Sequence, residues 1–269
     1  MTPLIFGRAS NLSRQLAMAW PGALAWSVRD VVEGRFPDLA RETPLLVVLN
    51  HFQPAVALGD TSDPQGYVAR AIGATASILD WLAERRVEKL IYTSSAAVYG
   101  DSKECREADR PRAAGLHAGL KVANEDLVLK VAQRQGWSAS IARLFNLYGG
   151  DDHFSVVSKI VAAAREAQTF GLVNGGHAIR DFIHIRDVVR CYGALARSDL
   201  EIVNVASGVG VSVRSLVDAL AIRGVCLSTT NRPRQEIRMS IADVTRLRQI
   251  VDPDGFVSVE GWVVEQVLT

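Results

Sequence analysis

His117 and Lys121 lie four residues apart in the segment LHAGLK, which places a side chain that could transfer protons beside a cation. An unperturbed imidazole has a pKa of about 6.5, so it exchanges protons near neutral pH. The ammonium of Lys121 would disfavour a second positive charge and lower the pKa of the imidazole. His117 is therefore either a general acid or a polar helix residue that faces a cleft without chemistry.

A second candidate site is the segment FGRASNLSRQLA, where an apolar run passes into a helical pattern. A dinucleotide loop needs small residues at three points, so that the chain turns tightly, approaches the pyrophosphate and packs helix on strand. Gly7, Ser10 and Ser13 occupy these points, and only the first is glycine. The segment is thus either a cofactor loop or an ordinary strand-to-helix turn. The candidate cofactor residues are Gly7, Arg8, Ser10, Asn11 and Leu12.

Arg29 follows the second predicted strand, seven residues after Gly22. NAD-preferring proteins place an acidic residue there for the ribose hydroxyls, whereas a basic residue suits the 2′-phosphate of NADP. Arg8 could add a second positive charge. The pattern favours NADP(H) as the form of NAD(P) that binds, unless both arginines are only solvated surface residues.

Short apolar runs alternate with segments of helical spacing in the first half of the chain. This alternation predicts a Rossmann-type α/β fold with a doubly wound parallel sheet that is covered on both faces. The predicted strands lie in PLIFG, GALAWSV, PLLVVLN, KLIYTSS and SASIARLFN. Helices are predicted in NLSRQLAMAW, in GYVARAIGATASILDWLAERR and in HAGLKVANEDLVLKVAQRQG; the last has Leu120, Ala123, Leu127 and Val131 on one apolar face and Gly136 at its C-terminal cap.

The pattern becomes mixed from about Asp151. Helices are predicted in FSVVSKIVAAAREAQ and SVRSLVDALAIRG, the latter capped by Ser212, and strands in VNGGHAIRDFIHIRDVV and EIVNVASG. We predict that residues 1–150 form a dinucleotide-binding domain and that 151–269 form a smaller mixed α/β substrate lobe. Part of 180–207 is expected to pack back on the first domain.

Composition narrows the class of protein. A net charge of +1 argues against bulk binding of nucleic acid or anionic membranes, and 48% hydrophobic residues suffice for a substantial core. No apolar run reaches the roughly 20 residues that cross a bilayer, and the N-terminus lacks a signal-peptide pattern, so we expect a cytoplasmic protein. Three widely spaced cysteines and five histidines show no metal-ligand motif.

Further segments occur in a characteristic order: YTSSAAVYGD, LHAGLKVANE, ARLFNLYG, RDFIHIRDVV, NVASGVGVSVRSL and RPRQEIRMSIADVTRLR. In this order they resemble the extended short-chain dehydrogenase/reductases, the NAD-dependent epimerase/dehydratase family, which acts mostly on nucleotide sugars. The resemblance covers nearly the whole chain. The chain is shorter than its relatives between the second and third strands, and there and in its glycine loop it is similar to the deoxysugar 4-keto reductases.

The resemblance implies catalytic roles for three residues. A hydroxyl that polarises the sugar oxygen corresponds to Ser95, and a lysine that holds the nicotinamide ribose corresponds to Lys121. The family's catalytic tyrosine falls on His117, with Glu125 also in register. Tyr99 and Tyr148 stand in family motifs where an aromatic residue is usually structural, so they are weaker candidates for the acid.

The resemblance also places substrate-binding residues. Asn146 matches an asparagine that touches the nucleotide sugar, and Arg180 and Arg232 match arginines that grip its diphosphate, with Arg238 as a possible helper. Guanidinium groups suit this role because they are always charged and form paired hydrogen bonds to phosphate. Arg180 could instead form a structural pair with Asp181 or Asp187. The substrate-binding set is Ser94, Asn146, Arg180 and Arg232.

The implied function is NAD(P)-dependent modification of a nucleotide sugar, as a C4 epimerase or 4-keto reductase, in a homodimer. Ala96 and Ala97 stand where the 4,6-dehydratases carry an acid pair, which argues against that reaction. The alternative is a catalytically weakened relative that binds dinucleotide or nucleotide sugar without turnover.

Overall fold

The computed structural model describes residues 1–51 and 63–269. They divide into two compact units: Met1–Val98, Pro111–Arg143 and Tyr192–Val203 form the first, and Tyr99–Arg110, Leu144–Cys191 and Asn204–Thr269 form the second. The two units interleave along the sequence, whereas the predicted division was one cut at residue 150 with a return of part of 180–207. That domain assignment stays a prediction.

Regular elements occupy much of the described chain. The strands are β1 Thr2–Phe6, β2 Leu24–Trp26, β3 Leu45–Leu49, β4 Val87–Ser95, β5 Ser102–Cys105, β6 Ser138–Leu144, β7 Asn146–Tyr148, β8 Phe170–Val173, β9 Ile179–His184, β10 Ile202–Val205, β11 Gly210–Ser212, β12 Thr229–Arg232 and β13 Met239–Ala242. The helices are α1 Asn11–Ala19, α2 Val28–Val32, α3 Pro64–Val68, α4 Ala74–Leu82, α5 Leu116–Gln135, α6 Val156–Arg165, α7 Ile185–Leu195, α8 Val213–Ile222 and α9 Val259–Leu268.

The main sheet has the strand order β10-β6-β4-β3-β1-β2. β1 pairs in parallel with both β2 and β3, and β3 pairs in parallel with β4. Every residue of β3 is buried, as expected for a strand covered on both faces. The five strands predicted for the first half of the chain and the Rossmann-type α/β fold are confirmed.

The order of these strands reverses at β1, because the chain places β2 on one side of it and β3 on the other. In open α/β sheets ligands bind outside the carboxyl ends of the strands at such a switch point. Gly7 follows β1 directly and Asn50 follows β3 directly. The predicted glycine loop therefore lies at the position where open α/β sheets bind their ligands.

The helix α5 buries a different face from the predicted one. Its fully buried residues are Ala118, Lys121, Asn124, Glu125, Val128 and Ala132. Ala123 is exposed, and the other three members of the predicted apolar face are half-buried. The prediction was wrong at Ala123, whereas Leu127 and Val131 do pack against the core of the first unit. It missed the polar residues of the buried face because their partners lie on other elements. Gly136 ends the helix with a left-handed φ of 69°, as predicted.

The long helix predicted before β4 forms as α3 and α4 joined by a π-helical turn over Ala69–Gly73. Its apolar side contributes Ala74, Ile78, Leu79 and Leu82 to the core of the first unit, together with β1, β3 and β4. None of the helices in 1–51 and 63–269 has the length and apolar character to cross a membrane.

The second unit has its own sheets and core. Its larger sheet has the order β11-β9-β13-β5, with β7 added beside β9, and β12 pairs in parallel with β8. The helices α6, α8 and α9 pack around Tyr148, Leu172 and Phe182. Ser212 caps α8 by accepting a hydrogen bond from the Ser215 amide at 3.0 Å, as predicted.

Candidate active site

The turn after β1 has the geometry of a dinucleotide loop. Gly7 has a φ of +111°, and a Cβ there would lie 2.2 Å from the carbonyl oxygen of Asn50, so only glycine fits. Its amide donates to Trp26 O at 2.9 Å, which ties the loop to the end of β2. Ser10 then caps α1, whose first turn directs backbone N–H groups outward. This cradle fits a pyrophosphate.

The loop carries serines where glycines are usual, and Asn50 binds both. Its side-chain amide donates to Ser10 Oγ at 2.7 Å and to Ser13 Oγ at 2.9 Å. Ser13 is fully buried and Asn50 is only 1% exposed. Asn50 was not among the predicted site residues. The signal that could have found it is a lone amide at the end of the buried run LLVVLN.

Arg8 and Arg29 are exposed, and within the described parts of the chain neither forms an ion pair. Arg8 lies in the turn after β1, and Arg29 lies in the first turn of α2, directly after β2. Their positions at the carboxyl ends of two adjacent strands are compatible with a phosphorylated ribose. Their role stays a prediction.

Lys121 projects from α5 into the interior of the first unit and is 3% exposed. Its Nζ donates to Thr93 O at 2.7 Å and lies 5.0 Å from the centre of the Tyr92 ring. Burial lowers the pKa of Lys121 to about 7, against the opposing effect of the Glu125 carboxylate. The lysine is thus poised near neutrality at the end of β4.

Glu125 lies one helical turn beyond Lys121 and links α5 to two strands. Arg143 on β6 donates to it through Nη2 at 2.7 Å and through Nε at 3.1 Å, and both side chains are nearly fully buried. Ser94 Oγ donates a short hydrogen bond to Glu125 Oε1, the oxygen that also accepts from Arg143 Nε. Ser94, predicted to bind substrate, therefore has a structural partner, and Arg143 is a residue that motif reading missed.

His117 lies in the first turn of α5 and is half-buried. Burial, and then the charge of Lys121, lower the pKa of its imidazole to about 4. The ring is therefore neutral at pH 7. The expected influence of Lys121 acts in the predicted direction, but desolvation is the larger cause.

Ser95 closes β4 and is half-buried. Its hydroxyl accepts a hydrogen bond from the Ala97 amide at 3.2 Å and keeps its own proton for a further acceptor. Ser95, His117 and Lys121 all belong to the first unit, as do Gly7, Arg8, Ser10, Asn11, Leu12 and Arg29.

The two tyrosines considered as substitute acids are engaged elsewhere. Tyr99 donates to Asn204 Oδ1 at 2.7 Å, and Tyr148 donates to Val257 O at 2.8 Å. Both rings are buried, and burial raises the pKa of Tyr148. Their hydrogen bonds match the structural roles that the motifs indicated.

His51 is another imidazole that the sequence reading did not select. Its Nε2 lies 3.0 Å from Thr75 Oγ1, and burial followed by the charge of Lys121 lowers its pKa to about 3. It follows Asn50 at the end of β3, and its neutral ring is a second uncharged imidazole within the electrostatic influence of Lys121. Within the described residues, no cluster of histidine, cysteine or acidic side chains could hold a metal ion.

Apart from Ser94, which belongs to the first unit, the predicted substrate-binding residues Asn146, Arg180 and Arg232 lie in the second unit. Asn146 donates to Asp181 O at 2.8 Å. Arg180 pairs with Glu236 at 3.2 Å, and burial lowers the pKa of its guanidinium. Asp181 and Asp187, the alternative partners of Arg180, form hydrogen bonds with other groups. Asp181 accepts from the Ser207 and Gly208 amides. Asp187 accepts from the Val257 amide and pairs with Arg190.

Arg232 ends β12 and is exposed, with its guanidinium over Gly171, where a Cβ would lie 2.4 Å from Nε. Arg238 has a 91% exposed side chain that lies 3.6 Å from Asp101. Glu236 binds both Arg180 and the Asn174 amide, the latter at 3.0 Å. Glu236 is therefore a further residue that motif reading did not identify, and it sets the position of Arg180.

Two curated relatives are similar to the chain in sequence. The chain is 26% identical over 227 residues to "Probable UDP-arabinose 4-epimerase 3" of Arabidopsis thaliana, a match that covers 74% of the chain and 55% of the relative. It is also 26% identical over 216 residues to human "UDP-glucose 4-epimerase", covering 70% of the chain and 62% of the relative. The matches thus span little more than half the length of these curated relatives.

Solved structures share the fold. The Thermus thermophilus UDP-glucose 4-epimerase complex with NAD superposes with a TM-score of 0.85 at 20% identity, covering 99% of the chain and 98% of that structure. Bacillus cereus UDP-glucuronic acid 4-epimerase, bound to UDP-glucuronic acid and NAD, gives 0.83 at 17% identity, covering 100% and 99%. A model of the family described as "NAD dependent epimerase/dehydratase family" matches residues 46–206, more than half of the sequence. The chain belongs to the NAD-dependent epimerase/dehydratase family.

Proposed function

We propose that this protein is an NAD(P)-dependent isomerase that epimerises a UDP-sugar at C4. The observation that carries the proposal is the buried ammonium of Lys121, one helical turn from His117 and held by Thr93 O at 2.7 Å, in the unit that contains the Gly7 loop. The relatives named as UDP-sugar 4-epimerases support an epimerase over the 4-keto reductase alternative.

NAD(P), when bound, supplies the exchange of hydride with the sugar carbon. Gly7 and the first turn of α1 would hold its pyrophosphate, and Lys121 its nicotinamide ribose. Ser95 would donate its hydroxyl proton toward the sugar oxygen, and neutral His117 would take a proton from that oxygen and return it. Asn146, Arg180 and Arg232 would bind the nucleotide diphosphate.

His117 also gives specific support to the second candidate function, a family member that binds without efficient turnover. An imidazole with a pKa of about 4 is a weak base at pH 7, and the imidazolium that it would form stays buried beside Lys121. The pKa of His117 is therefore well below the value near neutrality that suits a general base at pH 7.

Substitution of His117 separates these two functions. We expect His117→Ala to abolish the interconversion of UDP-glucose and UDP-galactose, or of the matching glucuronate or pentose pair, and His117→Tyr to raise turnover by about tenfold or more. Turnover is measured by chromatography of the products. If His117→Tyr is faster and His117→Ala equals the unsubstituted protein, histidine is not the acid–base group and the binding function is correct.

Cofactor preference tests the loop and Arg29 together. A ligand that binds only the folded protein stabilises it by about 2.7 kcal/mol at 100 times its Kd. We expect both NAD+ and NADP+ to raise the melting temperature, with NADP+ the stronger, and Arg29→Ala to remove that difference. A stronger shift with NAD+ would contradict the role of Arg29, and no shift with either would contradict the dinucleotide site.

We also propose a homodimer in the cytoplasm. This rests on the family resemblance, in which a helix pair commonly joins two subunits. Sedimentation or light scattering of the purified protein measures the oligomeric state directly.

A further inference from the structure

The loop that follows β1 departs from the family pattern at two of its three small positions. Ser10 and Ser13 place hydroxyl groups where glycine or alanine normally leaves space for the pyrophosphate and for helix packing. Ser13 is fully buried, so its hydroxyl needs a hydrogen-bond partner within the protein. Ser10 lies at the end of the loop, where its side chain caps the N-terminus of α1.

Asn50 meets this need from the neighbouring strand. Its side-chain nitrogen donates to Ser10 Oγ at 2.7 Å and to Ser13 Oγ at 2.9 Å, and the two serine hydroxyls also share a hydrogen bond of 3.0 Å. Both N–H groups of the amide are thereby directed at the loop. Asn50 lies about 40 residues from the two serines in the sequence. It is 1% exposed, so its amide also needs partners within the protein.

The main chain of Asn50 is equally close to the loop. Its carbonyl oxygen lies where a Cβ on Gly7 would be, 2.2 Å away, and its own amide donates to Phe6 O at 2.9 Å. Asn50 thus contacts the first, second and third small positions of the loop at once. It does so at the switch point between β1 and β3, the place where the pyrophosphate is expected.

We infer that Asn50 is a positioning residue for the dinucleotide, which holds the hydroxyls of Ser10 and Ser13 against the end of β3 so that the loop accepts a pyrophosphate despite lacking two glycines. The inference rests on the proposed dinucleotide site. Asn50 acts through the serines and does not itself need to touch the cofactor. Its side chain is required only because the serines are present, and this dependence makes the inference testable.

A double-mutant cycle tests that dependence. Asn50→Ala is made in the natural chain and in a chain carrying Ser10→Gly and Ser13→Ala, which restores the family pattern. The Kd for the better-bound of NAD+ and NADP+ is measured by calorimetry. We expect Asn50→Ala to weaken binding about tenfold in the natural chain and less than about twofold in the restored chain, because only the natural chain has the two hydroxyls that the Asn50 amide positions.

A second readout needs no cofactor. Hydrogen exchange of the amides in residues 8–14 should accelerate on Asn50→Ala in the natural chain and change little in the restored chain. The matched control is Asn124→Ala, which removes another buried amide of the same unit, one that donates to Ala71 O at 2.9 Å. This control should lower the melting temperature and leave both the Kd and the exchange of residues 8–14 unchanged.

The outcomes separate the inference from the proposed function. Equal weakening of binding by Asn50→Ala in both chains overturns the inference and leaves the dinucleotide site intact. Absence of dinucleotide binding in the natural chain overturns the proposed function, and the positioning role with it. If Asn50→Ala does not fold, Asn50→Ser carries the same comparison, since a single hydroxyl can replace only one of the two donated hydrogen bonds.

Discussion

Lys121→Met is expected to reduce turnover of the UDP-sugar by about 10²- to 10⁴-fold, the usual contribution of an acid–base or cation-assisted step. Methionine fills a similar volume without the charge, so the packing of α5 against β4 is retained. Removal of the ammonium deletes the hydrogen bond to Thr93 O and the cation that tunes His117. Turnover and the Kd for NAD+ are both measured.

Lys89→Met is the matched control for this substitution. Lys89 is likewise 3% exposed and lies in the first unit, where it donates to Ser198 O at 2.6 Å and to Ser138 Oγ at 3.1 Å. The Lys89→Met variant loses an equivalent buried ammonium outside the candidate site. Its turnover should therefore stay within about twofold of that of the unsubstituted protein once it is folded. Similar turnover for the two variants would show that Lys121 has no catalytic role.

Lys121→Met also has an expected effect on the pH dependence of stability. The pKa of Lys121 is about 7 in the folded protein and 10.5 in the reference state, so the unfolded chain binds more protons between these values. The free energy of unfolding therefore rises as pH increases from about 7 to about 10.5. Lys121→Met should flatten this rise, as followed by urea titrations at several pH values.

Arg143→Met has the largest expected effect on stability, a loss of about 3–5 kcal/mol in the free energy of unfolding. The substitution leaves the Glu125 carboxylate buried without its paired guanidinium hydrogen bonds. The double variant Arg143→Met, Glu125→Met should recover much of the loss, because an apolar pair replaces a buried ion pair without an orphaned charge. Urea denaturation monitored by circular dichroism measures all three proteins.

An exposed ion pair provides the comparison. Arg214 and Asp218 lie one helical turn apart on α8, with side chains 48% and 51% exposed. Arg214→Met should change the free energy of unfolding by less than about 1 kcal/mol. If Arg143→Met cost no more than this, the Glu125–Arg143 pair would not be the buried anchor of α5.

The strands of the first half were predictable because apolar runs bounded by glycine and polar residues report burial directly. Gly7 was predictable for a similar reason, since its spacing before a helical pattern is part of a motif. The buried face of α5 was not, because Lys121 and Glu125 are polar and their partners, Thr93 and Arg143, lie on other elements.

Residues whose contacts are with partners distant in the sequence could not be predicted either. Asn50 contacts Ser10 and Ser13 only after β3 is placed beside β1, and Glu236 contacts Arg180 only after the second unit folds. The spacing of residues along the chain does not predict such contacts. The pKa of His117 was predictable in direction from Lys121, whereas the larger effect of burial required the structure.

The interleaving of the two units has a consequence for how the chain folds during synthesis. The first unit needs Tyr192–Val203, which leave the ribosome after all of Leu144–Cys191 of the second unit. At about 5–20 residues per second, the amino-terminal part waits several seconds for its last segment. During that time β6 lacks its neighbour β10, and its unpaired edge is exposed to pairing with other chains. A chain that ends near residue 150 and has been released from the ribosome should therefore remain protease-sensitive.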